Sequence, residues 1–545
     1  MSYGYVGAPV LFNGTLPNGG DSTTTNLNQW YQSGDSAYIL VCSCMVLIMI
    51  PGIGFLYSGL ARRKSALTMI WAVMGAFSII TFQWYFWGYS LAFSSTGTSG
   101  FIGNLAHFGL MDVLGEPSPG SPLIPELLYA FYQMQFCATT AAIVTGAIAE
   151  RGRVIPMMVF LFVWATLVYC PIACWVWNVN GWAFKWGVLD YAGGGPVEIC
   201  SGVSALAYSM VLGKRQQKMM LNFRPHNIFL VTLGTVILWF GWLGFNGGSA
   251  FGANLRAVMA CWNSCLTAMF AAITWVLLDY RLSRKWSMVG WVCLCLKDTL
   301  RAILTGIAQR SAQDAYPVSL QQLLRLGSSH HGHPSSSADL ALLPAYNTEP
   351  LKFWLRIDDS MDNLAEHGIA GMVGLLFNGL FAADYIIGLD GVSTGTINGG
   401  WLNHNYKQLY IQFAYIVACT AYSFVVSAGI AALVNLVPGL KLRASEQAEL
   451  LGLDDDQLGE FAYDYVEIRR DYLAWTPEHG DMEMEIEMKP IEGVEVTNNG
   501  LRSRMAKDSK SPLIQRTGAD ADVIGRVSTG ELRHRREENE MLRTE

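Results

Sequence analysis

The sequence predicts an all-α, polytopic membrane protein. Of its 545 residues, 52% are hydrophobic and only 14% are charged, and the charge is concentrated in the last hundred or so residues. A soluble protein would spread that charge over its surface. Windows of about 20 apolar residues, enough to cross the ~30 Å hydrocarbon core, fall at 37–60, 67–94, 125–148, 154–177, 196–213, 227–250, 258–280, 364–386 and 408–437.

The charges between these windows predict the orientation of the chain. Basic clusters follow every second window: Arg62, Arg63 and Lys64; Arg151 and Arg153; Lys214, Arg215, Lys218 and Arg224; Arg281, Arg284 and Lys285. Segments 1–36 and 95–124 contain no Lys or Arg. Because cytoplasmic loops carry the excess of basic residues, the N-terminus is expected outside and the C-terminus inside.

The two ends of the chain are polar. Residues 1–36 lack a signal-peptide pattern, so the first window is expected to direct membrane insertion, and Asn13 begins a glycosylation triplet on the outer side. Residues 438–475 are expected to form a cytoplasmic regulatory tail, and the charged, aromatic-poor segment 476–545 to be disordered. Ser528 lies two residues after Arg526 and is a candidate phosphorylation site for a basophilic kinase. The alternative is an unmodified serine in a linker.

A polar motif occurs twice inside apolar segments. Its copies are Asp190, Glu198 and Gly202, and Asp359, His367 and Gly371. An ionisable group in a membrane helix is a functional candidate, and the predicted topology sends the copies into the bilayer from opposite faces. Eight helical residues span ~12 Å, so Glu198 and His367 are expected to meet near the midplane, as in an inverted-repeat transporter. The alternative is two unrelated polar residues satisfied within a bundle.

Several longer strings resemble one family. PGIGFLYSGLARRK (51–64), TGAIAERGR (145–153), LDYAGGGPVEICSG (189–202), GWLGFNGGSA (241–250), LKFWLRIDDSMDNLAEHGIAG (351–371) and GEFAYDYVEIRRDYLAW (459–475) are similar to the ammonium transporter, methylamine permease and Rhesus family, most closely its fungal Mep-type branch. The resemblance implies eleven membrane helices in two inverted halves, a homotrimer with one pore per subunit, and a place in the plasma membrane.

The resemblance also implies the site. Trp177 and Ser249 correspond to the outer recruitment site, and Phe136 and Phe245 to the stacked rings beneath it. Below these the family has two pore histidines; here the pair is Glu198 and His367. Asp190 is expected to support the recruitment site and the pore, and Asp359, Gly202 and Gly371 to support the pore structurally. Direct coordination of the cation by the two aspartates is the alternative.

This site suits a small cation that must lose its water. An indole face attracts a cation by ~0.5–2 kcal/mol, which is far less than the cost of burying an uncompensated charge. Deprotonation to ammonia is therefore expected below the phenylalanines, with Glu198 and His367 passing the proton. The expected partners are ammonium or methylammonium and the lipid bilayer; no cofactor, metal, nucleic acid or enzymatic activity is expected, since no nucleotide loop, zinc motif or nucleophile elbow occurs.

One segment departs from the family pattern. Residues 292–350 contain no membrane-length apolar run, so the eighth and ninth of the eleven family helices have no counterpart there. The abrupt edges favour a shifted reading frame or unusual splice over gradual divergence. This segment leaves open a chain that conducts poorly. A separate alternative to transport is a nitrogen sensor that signals through its tail. Glu198 favours transport over sensing, since sensor-like fungal relatives usually keep the histidine.

Overall fold

The computed structural model describes residues 31–216, 224–288, 357–391 and 398–463. Within these ranges the chain is helical and forms no β-strand, so the all-α prediction is confirmed. The long helices are α1 (Ser33–Leu60), α2 (Arg63–Phe93), α3 (Glu126–Ile148), α4 (154–177), α5 (Gly194–Leu212), α6 (Ile228–Gly248), α7 (Leu255–Ser283), α8 (Leu364–Phe381) and α9 (Lys407–Leu436).

The apolar windows match these helices. Eight helices in the described part of the chain are long and apolar enough to cross a membrane, and the remaining predicted window, 258–280, lies inside the 29-residue helix α7. The predicted end of α8 at residue 386 is wrong, because the helix stops at Phe381. The apolar run continues past this point, but Gly400 donates its amide to the Ala382 carbonyl (2.7 Å) and holds the chain in a turn.

In the described ranges, four π-helical turns interrupt the regular helices. Two lie within α2 and α4, at Trp84–Gly88 and Ala165–Tyr169. The other two form the first turns of α5 and α8, at Gly194–Ile199 and Leu364–Ile369. Such turns are rare and occur frequently at functional sites, and the last two carry Glu198 and His367.

Buried ion pairs join several loops at one end of the bundle, here called the basic end. Glu150, after α3, pairs with Arg62 after α1 (3.3 Å) and with Arg215 after α5 (3.4 Å). Arg215 also binds Asp358, just before α8, through both carboxylate oxygens (2.8 and 2.9 Å). Helix α5 therefore ends at the basic end, whereas α8 begins there. The two helices enter the bundle from opposite ends.

Asp358 is the acid most strongly affected by this cluster. Burial alone would raise its pKa, but the hydrogen bonds and charges of Arg215 and Arg151 lower the pKa to about 2. The folded pKa lies below the ordinary value of about 3.9. The ionised side chain therefore contributes stability above about pH 4, and this contribution is lost as the pH falls towards 2.

The variant Asp358→Asn tests this contribution. We expect it to lower the free energy of unfolding at pH 7 by about 2 kcal/mol, because a shift of one pKa unit corresponds to 1.36 kcal/mol. The difference in the free energy of unfolding between the variant and the unmodified chain should become smaller as the pH falls below about 4. Thermal unfolding in detergent, at pH 7 and below about pH 4, measures this difference. The control is Asp455→Asn, which changes an exposed aspartate. Equal losses in the two variants would contradict the prediction.

The described part of the predicted tail, 438–463, packs across the basic end. Arg153 donates its amide to the Leu442 carbonyl (2.8 Å), and Ala444 donates to that of Arg151 (2.9 Å). The buried Asp454 carboxylate accepts from the Thr68 amide and hydroxyl (both 2.7 Å) and so caps the start of the regular helix Ala66–Gln83. All described residues belong to one compact unit.

Candidate functional site

The two ionisable residues of the repeated motif meet. Glu198 Oε2 lies 2.8 Å from His367 Nδ1, although 169 residues separate them. Both side chains are buried, with Glu198 1% and His367 8% exposed. The second oxygen of Glu198, Oε1, is buried and has no hydrogen-bond partner among the described residues. The structure therefore places a hydrogen-bonded acid and imidazole inside the bundle, where α5 and α8 meet from opposite ends.

The two glycines of the motif allow this meeting. A Cβ atom at Gly202 would lie 2.3 Å from the Gly368 amide nitrogen and 2.7 Å from the Asn363 carbonyl oxygen. A Cβ atom at Gly371 would lie 2.7 Å from the carbonyl oxygen of Gly194, the residue that corresponds to Asn363 in the other copy. Each glycine thus packs on the backbone of the other helix's first turn. Any side chain would separate the two helices.

The two aspartates bind the first amides of the helices that carry the pair. Asp190 accepts from the amides of Gly193 (2.8 Å), Gly194 (2.7 Å) and Gly195 (2.7 Å). Asp359 accepts from the Leu364 amide (2.8 Å), which lies five residues on, as Gly195 does in the first copy. Both carboxylates satisfy amides that would otherwise be unpaired at a helix start. Their geometry is that of caps, which fix the positions of Glu198 and His367.

The four residues expected at the outer site lie together at the end opposite the basic end. Phe136 and Phe245 stack with ring centroids 3.9 Å apart and an interplanar angle of 21°. Trp177 meets Phe136 edge-on at 6.1 Å and donates its indole N–H to the Asp190 carbonyl (3.0 Å). The Ser249 hydroxyl donates to the Phe245 carbonyl (2.7 Å). The serine, the indole and the two stacked rings thus form one aromatic-lined entrance.

A small cavity of about 20 Å³ is lined partly by residues that the sequence did not mark as functional. Its lining consists of Met49, Ile53, Leu56, Tyr57, Thr139, Ile143, Leu238, Trp242, Glu366 and His367. Trp242 packs against Phe245, with ring centroids 6.4 Å apart, so the cavity adjoins the stacked rings. Glu366 was visible in the sequence as a second ionisable residue directly before His367. Nothing in the sequence marked Trp242 as a functional residue, since an apolar helix commonly contains tryptophan.

Several predicted features lie outside the described residues. They are the glycosylation triplet at Asn13, the kinase site at Ser528 and the segment 292–350. The described residues contain no group of three or more His, Cys, Asp or Glu side chains placed to hold a metal ion.

The arrangement of these residues can bind a small cation at one end and exchange a proton inside the bundle. The aromatic entrance offers an indole face and a hydroxyl to a cation. The stacked rings behind it close the path with apolar surface, which excludes a bare charge. Beyond them, the Glu198 carboxylate and the His367 imidazole are hydrogen-bonded, so a proton can pass between them.

Known proteins with similar sequences include fungal ammonium transporters. The profile of the Ammonium Transporter Family matches residues 37–296 and 338–463. Ammonium transporter MEP3 of Saccharomyces cerevisiae is 51% identical over 82% of this chain and 86% of its own length. Ammonium transporter 2 of Schizosaccharomyces pombe is 49% identical over 84% of this chain and 86% of its own length.

Solved structures agree with these sequence matches. The crystal structure of Candida albicans Mep2 is 40% identical to this chain with a TM-score of 0.70, and the match covers 84% of this chain and 95% of that one. Saccharomyces cerevisiae Mep2 has a TM-score of 0.69 at 41% identity over 82% of this chain and 97% of its own. On the family profile, the sequence identity and the shared fold, this chain belongs to the Ammonium Transporter Family.

Proposed function

We propose that this chain carries ammonium and methylammonium across a membrane as a proton and the corresponding neutral amine. The observation that carries the proposal is the buried Glu198 and His367 pair at 2.8 Å, placed beyond two stacked phenylalanines. The relatives named as ammonium transporters, at about 50% identity over most of the chain, support the same substrate.

Transport begins at the entrance. Ammonium binds against the Trp177 face, and the Ser249 hydroxyl replaces one hydrogen bond of its hydration shell. The stacked rings of Phe136 and Phe245 then admit neutral ammonia more readily than the cation, because burying an uncompensated charge costs far more than these contacts return. The proton released passes to the carboxylate and imidazole pair. Ammonia and the proton therefore move separately, and their net transport is electrogenic.

The assembly and location of the chain follow from its family and its charge pattern. We place it in the plasma membrane as a homotrimer with the N-terminus outside, because the basic loops gather at one end of the bundle and basic loops face the cytoplasm. The tail then lies in the cytoplasm, where a kinase can reach Ser528. The chain acts as a transporter and not as an enzyme.

The sensor alternative is less well supported. Relatives at 48 to 51% identity are named as ammonium transporters. A structure titled as a sensor Amt protein is 23% identical with a TM-score of 0.63, so this likeness shows the shared fold alone.

Electrical recording on proteoliposomes that contain the full chain tests the proposal. An ammonium step should produce a current that saturates with concentration, and methylammonium should produce a smaller one. Sodium at the same concentration, which cannot give up a proton, should produce none. Uptake of labelled methylammonium without any charge movement would contradict the electrogenic mechanism. The absence of both current and uptake would favour the poorly conducting alternative that segment 292–350 suggests.

A further inference from the structure

The cavity next to His367 contains polar atoms that bond to nothing else in the described part of the chain. Thr139 Oγ1 and Trp242 Nε1 are both buried and lack a hydrogen-bond partner there, and both residues line the cavity. Thr139 is 1% and Trp242 4% exposed. Buried polar groups are normally satisfied, so unpartnered atoms around an open space indicate a small polar ligand.

Glu366 adds a carboxylate to the wall of this cavity. Much of the remaining lining is apolar, including Met49, Leu56 and Leu238. An acidic side chain within a membrane-spanning helix is costly, and Glu366 lies in the span Leu364–Phe381. Its position directly before His367 puts two ionisable side chains on one cavity. The placement indicates a role in handling charge there.

Glu198 and Glu366 have different positions relative to the His367 ring, and these positions indicate different roles. Glu198 occupies Nδ1 of the imidazole and is not part of the cavity lining, whereas Glu366 is. Nε2 is therefore the ring nitrogen left to exchange a proton with a molecule in the cavity. Glu198 holds the ring through Nδ1, while Glu366 is in a position to contact a molecule that Nε2 protonates.

We propose that Glu366 binds the ammonium ion that re-forms in this cavity, an inference that rests on the proposed transport function. Trp242 can only donate a hydrogen bond, so it suits the lone pair of neutral ammonia arriving past Phe245. Once the ammonia lone pair turns from the Trp242 N–H to His367, the ring gives its Nε2 proton to it: the Nε2–H bond of the imidazolium breaks, a fourth N–H bond forms on the ammonia nitrogen, and neutral imidazole remains. The Glu366 carboxylate pairs with the new cation and directs it to the basic end.

The test is a comparison of transport by three variants in proteoliposomes, with the full chain throughout. Glu366→Gln keeps the shape and removes the charge, and Glu366→Asp keeps the charge on a shorter side chain. Asp362→Asn is the matched control, because it removes the same charge four residues earlier, from a residue that does not line the cavity. Its left-handed backbone (φ 56°) suits asparagine as well as aspartate. Elution as one assembled species and the thermal unfolding temperature report folding.

We expect Glu366→Gln to lower the maximum ammonium current at least about 10-fold, the loss typical of a charge-assisted hydrogen bond. The half-saturating ammonium concentration should change less than about 2-fold, because that variant leaves the entrance residues intact. Glu366→Asp should recover most of the current, and Asp362→Asn should match the unmodified chain. A current in Glu366→Gln equal to that of the unmodified chain would overturn the role of Glu366 alone. Equal losses in Glu366→Gln and Asp362→Asn would overturn it as well, and a silent unmodified chain would overturn the proposed function together with it.

Discussion

Replacing Glu198 by glutamine is expected to reduce ammonium current at least about 100-fold, the scale on which a positioned proton-transfer group acts. Glutamine has nearly the same shape, and its amide oxygen can still accept from His367 Nδ1, so the 2.8 Å contact can persist. The variant cannot hold or release a proton. The loss should therefore appear in transport and not in folding, and recording on proteoliposomes beside thermal unfolding in detergent separates the two.

Glu126→Gln is the matched control for this variant. Glu126 is also buried, and it accepts a hydrogen bond from the Tyr89 hydroxyl (2.6 Å), which the glutamine oxygen can keep. Removal of the Glu126 charge should leave the ammonium current unchanged. A second variant, Glu198→His, should restore current with a different pH dependence, since an imidazole replaces a carboxylate in the coupled pair. A Glu198→Gln chain that conducts normally, or a Glu198→His chain with an unaltered pH profile, would remove the proton role.

Replacing Gly202 by alanine is expected to destabilise the chain by at least about 3 kcal/mol, the upper part of the range for overpacking. The new methyl group would lie 2.3 Å from the Gly368 amide nitrogen and 2.7 Å from the Asn363 carbonyl oxygen. Both are backbone atoms in the first turn of α8 or next to it, so no side-chain rotation relieves the contact. Moving α8 away would also break the Glu198 and His367 bond, so the variant should lose transport as well as stability.

Gly429→Ala provides the control within another membrane helix. A Cβ atom there has nothing within 4 Å, and alanine is favoured over glycine in a helix by about 1 kcal/mol. We expect this variant to unfold at the same temperature as the unmodified chain or a higher one. The yield of monodisperse protein and its unfolding temperature measure both variants. Similar values for the two alanine variants would show that the crossing at Gly202 tolerates a side chain.

Hydropathy and charge alone were enough to locate the helices and the repeated motif. Apolar windows reproduce the helix bounds to within four residues everywhere except the end of α8, because burial in lipid requires long apolar runs. The alternating basic loops predicted opposite directions for α5 and α8, and the equal spacing of Asp190 to Glu198 and Asp359 to His367 then predicted that the arms converge. These properties depend on neighbouring residues in the chain, which a sequence displays directly.

The tertiary structure decided what depends on distant contacts. The 2.8 Å bond between Glu198 and His367 joins residues 169 positions apart, and the Asp454 cap on Thr68 joins residues 386 apart. The cavity that brings Glu366 together with Thr139 and Trp242 requires helices from three parts of the chain. Local patterns of polarity specify which segments enter a membrane, whereas only packing specifies which of their side chains face one another. The sequence by itself therefore determined which segments cross the membrane, in which direction they run, and the paired motif. The fold determined which partner each polar atom has.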